Sequence, residues 1–380
     1  MKKQAVVLAL VAAVLTLPFV AFAEQVNIEE IDDARAAVIM EVQTGTRLWS
    51  KEADGVYAVA GLSKLPAILT LAQAVDDGLI DETATMQVSQ HAASISGPTA
   101  FLESGEQIAA SQLIKAAVMI SAGDAIMTLG ENAFGSESVF AENINATLRQ
   151  LGLNKTITDA MGQNLLLSAW DLAALGAAAS QSPTFSKYCT LYLDSISHAD
   201  GRETELVNAN RLINNYSGCN GLLTGSSAAD GYSGVFSVQR NGTNYIAVVI
   251  GAPSALRRTV AAVALLDYGF ANFRTETLAK SGVPMVTAMP VRDGNVKTVD
   301  LTPGKTQAVV LESAKGKLTQ QMELPEYLEA PLSPNEPVGV IRFADDAGTE
   351  VAVVELYPAM EVEAFGMMDI LLKIAGRFIS

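Results

Sequence analysis

The chain has 380 residues, 49% of them hydrophobic, and its 41 acidic against 25 basic residues leave a formal charge of -16. That balance excludes nucleic acid and other polyanions as partners. Two cysteines, Cys189 and Cys219, are too few for a disulfide scaffold, although one bridge is open to an exported protein. His91 and His198 are the only histidines and lie far apart, so a His-based zinc site and a Ser-His-Asp triad both lack parts, and no metal or cofactor is expected.

The N-terminus carries Lys2 and Lys3, an apolar run over residues 5–20, and Ala21-Phe22-Ala23 before Glu24. This is the layout of a secretory signal over residues 1–23, cut after Ala23; the alternative is a retained membrane anchor. Export is therefore expected. Residues 36–41 and 47–51 read as two strands around Gln43-Thr44-Gly45. From Leu62 onward, Leu65, Leu69, Ala72 and Asp76 keep a helical spacing that ends at Asp77-Gly78, and a second helical stretch covers 111–129.

Residues 139–180 alternate helix-like runs with Gly and Asn breaks, as in an all-helical insert packed on a sheet. Two strands, 235–239 and 245–250, flank Asn241-Gly242, which favours a type I′ hairpin turn. A closing helix places Leu256, Val260, Val263, Leu266 and Phe270 on one face. At Arg274 the character changes, and residues 276–360 show short alternating segments such as 296–301 and 307–311 between Gly and Pro turns, a small all-β domain.

In the last stretch Glu363, Asp369, Lys373, Arg377 and Ser380 share a stripe, while Phe365, Met368, Leu371, Leu372, Ile374 and Phe378 cover the rest. Charges at that interval forbid a spanning helix but suit one lying in a membrane surface; the other reading is a helix docked on its own protein.

Several strings resemble landmarks of one family in order and spacing. They are Ala36-Ala37-Val38-Ile39-Met40 with Thr44-Gly45, Ser121-Ala122-Gly123-Asp124-Ala125, Asn208-Ala209-Asn210-Arg211-Leu212, and the run from Ile246 through Gly251-Ala252-Pro253-Ser254. Leu324-Pro325, Ala330-Pro331 and Val338-Gly339 follow beyond the boundary. The set resembles the low-molecular-mass penicillin-binding proteins that act as serine-type D-alanyl-D-alanine carboxypeptidases.

The resemblance implies an α/β (α+β) fold shared with serine β-lactamases: a central antiparallel sheet flanked by helices over 24–274, a β-rich domain over 275–362, and a terminal amphipathic helix over 363–380. It also implies a place on the extracytoplasmic face of the membrane or in the cell wall, with peptidoglycan stem peptides or wall enzymes as partners and the membrane surface met through 363–380.

That chemistry uses a serine with a lysine three residues later, an S-x-N element, and K-T-G on a strand. The corresponding first element is Gly61-Leu62-Ser63-Lys64: Lys64 fits the lysine, and Gly61 stands at the nucleophile position. Ser63 is the nearest hydroxyl, but two residues along a helix is about 200° of rotation, which turns it away from the face of Gly61. Pro66 belongs only in a first helical turn, so the helix start is expected to differ locally from the family's.

In the second element Ser121 is kept and Gly123 replaces the asparagine. In the third, Thr224 and Gly225 are kept as substrate-binding positions and Leu223 replaces the lysine that would attract a carboxylate. Lys280-Ser281-Gly282 falls at the domain junction and reads as a coincidence. Loss of the nucleophile alone costs on the order of a millionfold, roughly 8 kcal/mol of barrier. The expectation is a pseudoenzyme in which Lys64 and Ser121 are catalytic remnants; the alternatives are an active carboxypeptidase with a rearranged site, Ser121 its candidate nucleophile, and a passive structural remnant.

Overall fold

The computed structural model describes residues 27–366. The expected leader over 1–23 lies outside them. Strands β1 (Ala36–Glu41) and β2 (Arg47–Lys51) form the opening hairpin with the expected bounds. Its turn is tied by the Glu41 carboxylate, which accepts from the backbone N–H groups of Gln43 at 3.0 Å and Thr44 at 2.8 Å. After a 3-10 turn at Ala60–Lys64 come α1 (Leu65–Asp76), α2 (Ala110–Ile120), α3 (Gly123–Phe134), α4 (Glu137–Gln150), α5 (Ala169–Gln181) and α6 (Pro183–Cys189). The single helix expected over 111–129 is thus two helices, because Ser121 sits in the left-handed region at φ +54 and ends the first of them. The expected all-helical insert also contains a short strand, Leu166–Ser168, paired with Val56–Ala58.

Strands β3 (Thr224–Ser227), β4 (Gly231–Arg240) and β5 (Thr243–Ala252) complete an antiparallel sheet of order β2-β1-β5-β4-β3. The β4–β5 hairpin turns at Asn241 and Gly242, both at positive φ, as the sequence predicts. All six residues of β1 are buried, since both faces of the sheet are covered. Ala36, Val38, Met40, Ile246, Val248 and Ile250 face the helical layer, whereas Ala37, Ile39, Tyr245, Ala247 and Val249 face α7 (Ala255–Asn272).

The buried face of α7 is rotated from the expected one, with Leu266 common to both and Val263 and Phe270 only partly buried against the core. Ala261, Ala262, Leu265, Leu266 and Gly269 turn inward, and Leu256 is 71% exposed. The helix lies so near the sheet that a Cβ on Gly269 would come within 2.6 Å of Ile39 Cδ1, so small residues set its rotation.

The chain then passes through β6 (Phe273–Ala279) into β7 (Val286–Arg292), β8 (Thr298–Pro303), β9 (Gln307–Glu312), β10 (Thr319–Glu323), β11 (Leu328–Glu329), β12 (Gly339–Ala344) and β13 (Glu350–Pro358). A six-stranded sheet of order β10-β12-β13-β8-β7-β11 closes over its own core, which includes Leu301, Ile341, Phe343, Val354 and Leu356. The C-terminal part is therefore all-β, and the whole is a central antiparallel sheet with helices plus a small β unit.

The expected closing helix does not begin at Glu363. Asn295 N donates to Glu363 O at 2.9 Å, Ala364 bridges Gly294, and Phe365 N donates to Asp293 O at 2.8 Å, so the backbone there is extended against the loop after β7. The remainder of that expectation, 367–380, lies outside the described residues. Among the described residues no helix is long and apolar enough to cross a membrane.

Candidate active site

The 3-10 turn at Ala60–Lys64 opens on Ala60 at φ +48, a left-handed conformation that L residues adopt rarely. Three residues make one turn of such a helix, so positions 61 and 64 are eclipsed on one side. The α-helix begins only at Leu65, and Pro66 falls in its first turn, where a missing N–H costs little. Lys64 is 8% exposed, and its Nζ donates to the Ser121 carbonyl oxygen at 3.0 Å. Ser63 points elsewhere: its Oγ donates to Met161 O at 3.0 Å.

Ser121 occupies the break between α2 and α3, which brings the first and second elements together. Gly123 begins α3, its N–H donating to Pro98 O at 2.8 Å. A Cβ on Gly123 would lie 2.5 Å from Ile95 Cγ2, 3.2 Å from Lys64 Nζ and 3.5 Å from Met161 Sδ. Ile95 and Met161 thus fill the space a longer side chain there would need. Burial pushes the Lys64 pKa below its usual value, and the nearby Asp124 carboxylate opposes that shift.

Strand β3 is the edge of the central sheet, bonded to β4, and the face on which a Gly225 Cβ would stand lies against the 3-10 turn. A Cβ on Gly225 would stand 2.9 Å from Gly61 N and 3.0 Å from Leu62 N, so only glycine fits. The converse differs: a Cβ on Gly61 would meet only Gly225 Cα, at 3.7 Å. Thr224 is half-buried, while Leu223 is 3% exposed and belongs to the main core. Gly61, Lys64, Ser121, Gly123 and Gly225 are therefore brought together, whereas the Leu223 side chain packs into the interior. Lys280, Ser281 and Gly282 are exposed beyond β6, away from this cleft.

Three neighbours were not legible as site residues. Ile95 and Met161 carry no local signal, because each reaches Gly123 only through tertiary packing. Asp124 lies within a recognised string, yet its work is structural: 2% exposed, it accepts from Ala100 N at 2.9 Å and Leu102 N at 3.1 Å.

The histidines serve elsewhere. His91 Nδ1 pairs with Glu131 at 2.9 Å, and the buried His198 lies between Glu106 at 2.6 Å and Thr204 at 2.8 Å. Both cysteines are thiols, and burial pushes Cys189 up to about 12. Among the described residues no group of three His, Cys, Asp or Glu could hold a metal.

The sequence model of the D-alanyl-D-alanine carboxypeptidases matches residues 22–254. The chain belongs to this family. The model of the penicillin-binding protein 5 C-terminal domain matches residues 273–364, which hold the all-β unit. The D-alanyl-D-alanine carboxypeptidase DacF of Bacillus subtilis is 27% identical over 320 residues, 83% of this chain and 82% of the relative. DacA of Escherichia coli is also 27% identical, over 92% of this chain and 89% of its own length.

Among solved structures, penicillin-binding protein 5 of Haemophilus influenzae superposes with a TM-score of 0.75 at 25% identity, covering 89% of this chain and 99% of that one. As a carboxypeptidase-family chain, this protein keeps the peptidase fold.

Proposed function

We propose that this chain is a non-catalytic member of its family, an exported cell-envelope protein that holds peptidoglycan stem peptides in its cleft without turning them over. One observation carries the reading: position 61, eclipsed with Lys64 and facing β3, has no side chain, and the hydroxyl nearest to it in sequence, Ser63, is committed to Met161 O. A serine-type reaction needs an oxygen nucleophile within hydrogen-bond reach of its base. The free edge of β3 suits an extended peptide, which pairs through its backbone and needs no nucleophile. With Leu223 in place of a cation, recognition shifts away from a free terminal carboxylate.

Incubation of the purified mature protein with a fluorescent penicillin, followed by denaturing electrophoresis, tests this, because an acyl-enzyme survives denaturation. The expected result is no labelled band beside a labelled active relative. A second reading, an active enzyme with a rearranged site, draws on the 3.0 Å approach of Lys64 Nζ to Ser121 O, which sets Ser121 next to an amine. It requires a band that Ser121→Ala removes.

A further inference from the structure

Beside the cleft, the loop over residues 95–102 is bolted to the start of α3. Gly123 N donates to Pro98 O, and the buried Asp124 carboxylate accepts from the backbone N–H groups on either side of Phe101. Between those anchors Phe101 is held at φ +58, an outlier for a bulky L residue, with 69% of its surface in water. A strained backbone that displays an aromatic ring, where burial would have been favourable, points to a ring kept for a ligand.

The polar groups around it narrow the ligand's chemistry. Arg202, at the tip of the hairpin formed by Leu193–Ser197 and Glu203–Val207, donates through Nη1 to Phe101 O at 3.2 Å. The same guanidinium meets Asp200 at 2.5 Å, Glu103 at 3.4 Å and Glu106 at 3.5 Å. Glu106 is held by the buried His198, whereas Asp200 and Glu103 keep half or more of their side chains exposed.

An exposed aromatic ring, on a loop held by the Arg202 guanidinium and beside two carboxylates that stay half or more exposed, matches a pyranose, which offers an apolar C–H face and hydroxyl donors. Ala100 and Leu102 are buried and Ser96, Gly97 and Ser104 are polar or bare, so the apolar spot is too small for the centre of a protein interface. The surplus of carboxylates disfavours an anion.

We propose that Phe101, with Arg202, Asp200 and Glu103, is a binding platform for a pyranose ring, the wall sugar that carries the stem peptide. The proposal rests on the stem-peptide reading above for the source of the sugar, and on Phe101 for the contact itself.

The test is calorimetric titration of the full mature chain with three probes: a stem peptide alone, the same peptide on its disaccharide, and a peptide-free N-acetylglucosamine oligosaccharide. The sugar-bearing peptide is expected to bind about fivefold tighter than the bare one, from one aromatic contact. Phe101→Ala should erase that gain and leave the bare-peptide affinity alone. Phe101→Gly, which relieves the positive φ, should lose the same gain with no fall in melting temperature, separating contact from folding.

Equal affinity for the two peptides, or a gain that survives Phe101→Ala, overturns the platform. If no peptide binds but the oligosaccharide does in a Phe101-dependent way, the platform stands and the stem-peptide reading fails. If no probe binds, both fall.

Discussion

Gly225 lies so close to Gly61 that a Cβ on the former would stand 2.9 Å from the amide nitrogen of the latter. Edge strand and 3-10 turn touch backbone to backbone. Gly225→Ala should push β3 away and cost about 1–3 kcal/mol, read as a lower denaturant midpoint. An unchanged midpoint would mean that strand and turn separate freely.

The asymmetry at Gly61 makes the opposite change easy. A Cβ there meets one atom at 3.7 Å, and Gly61 is not at positive φ, so Gly61→Ser should fold as well as the parent. Its hydroxyl would share a side of the turn with Lys64 and should acquire slow labelling by fluorescent penicillin, on the order of a hundredfold below an active relative, because Gly123 and Leu223 still leave the site unsupported. The label should vanish in Gly61→Ser/Lys64→Ala; a label that persists would place the nucleophile elsewhere.

Restoring the second element meets resistance. Gly123→Asn sets its Cβ against Ile95 Cγ2 at 2.5 Å and should destabilise by about 1–3 kcal/mol. Ile95→Ala makes room, so the double variant should recover most of that loss. Independent, additive effects in a double-mutant cycle would refute the contact.

Lys64 gives a pH signature. Its folded-state pKa lies below the ordinary 10.5, so between the two values the unfolded chain holds a proton that the folded chain has released, and stability rises with pH across that interval. Lys64→Met abolishes this rise. Around pH 7 the methionine variant should be more stable by about 1–2 kcal/mol, since a buried ammonium is replaced by apolar volume. Urea midpoints at pH 7, 9 and 10 should converge, and a constant gap would show that the amine titrates as if in water.

Elements whose signal is local were legible. The β1–β2 hairpin follows from its apolar strands around Thr44-Gly45, and the β4–β5 turn from two adjacent residues that tolerate positive φ. The break at Ser121 was not, because apolar spacing runs on from α2 into α3 and nothing adjacent forces a left-handed residue. The rotation of α7 escaped for a related reason: its large residues mark a face, but the clearance over Ile39 admits only glycine at position 269.

At the cleft, the amino-acid sequence alone determined which groups exist: Gly61 three residues before Lys64, Gly123 two residues after Ser121, and Leu223 just ahead of Thr224-Gly225. Tertiary structure decided what surrounds them. Lys64 reaches Ser121 across 57 positions, Ile95 and Met161 come to Gly123 from separate segments, and Leu223 turns into the core. Such contacts arise from the packing of distant segments, whose spacing in the chain carries no record of their approach in space, whereas the side chain that a position carries is a covalent fact that no folding alters.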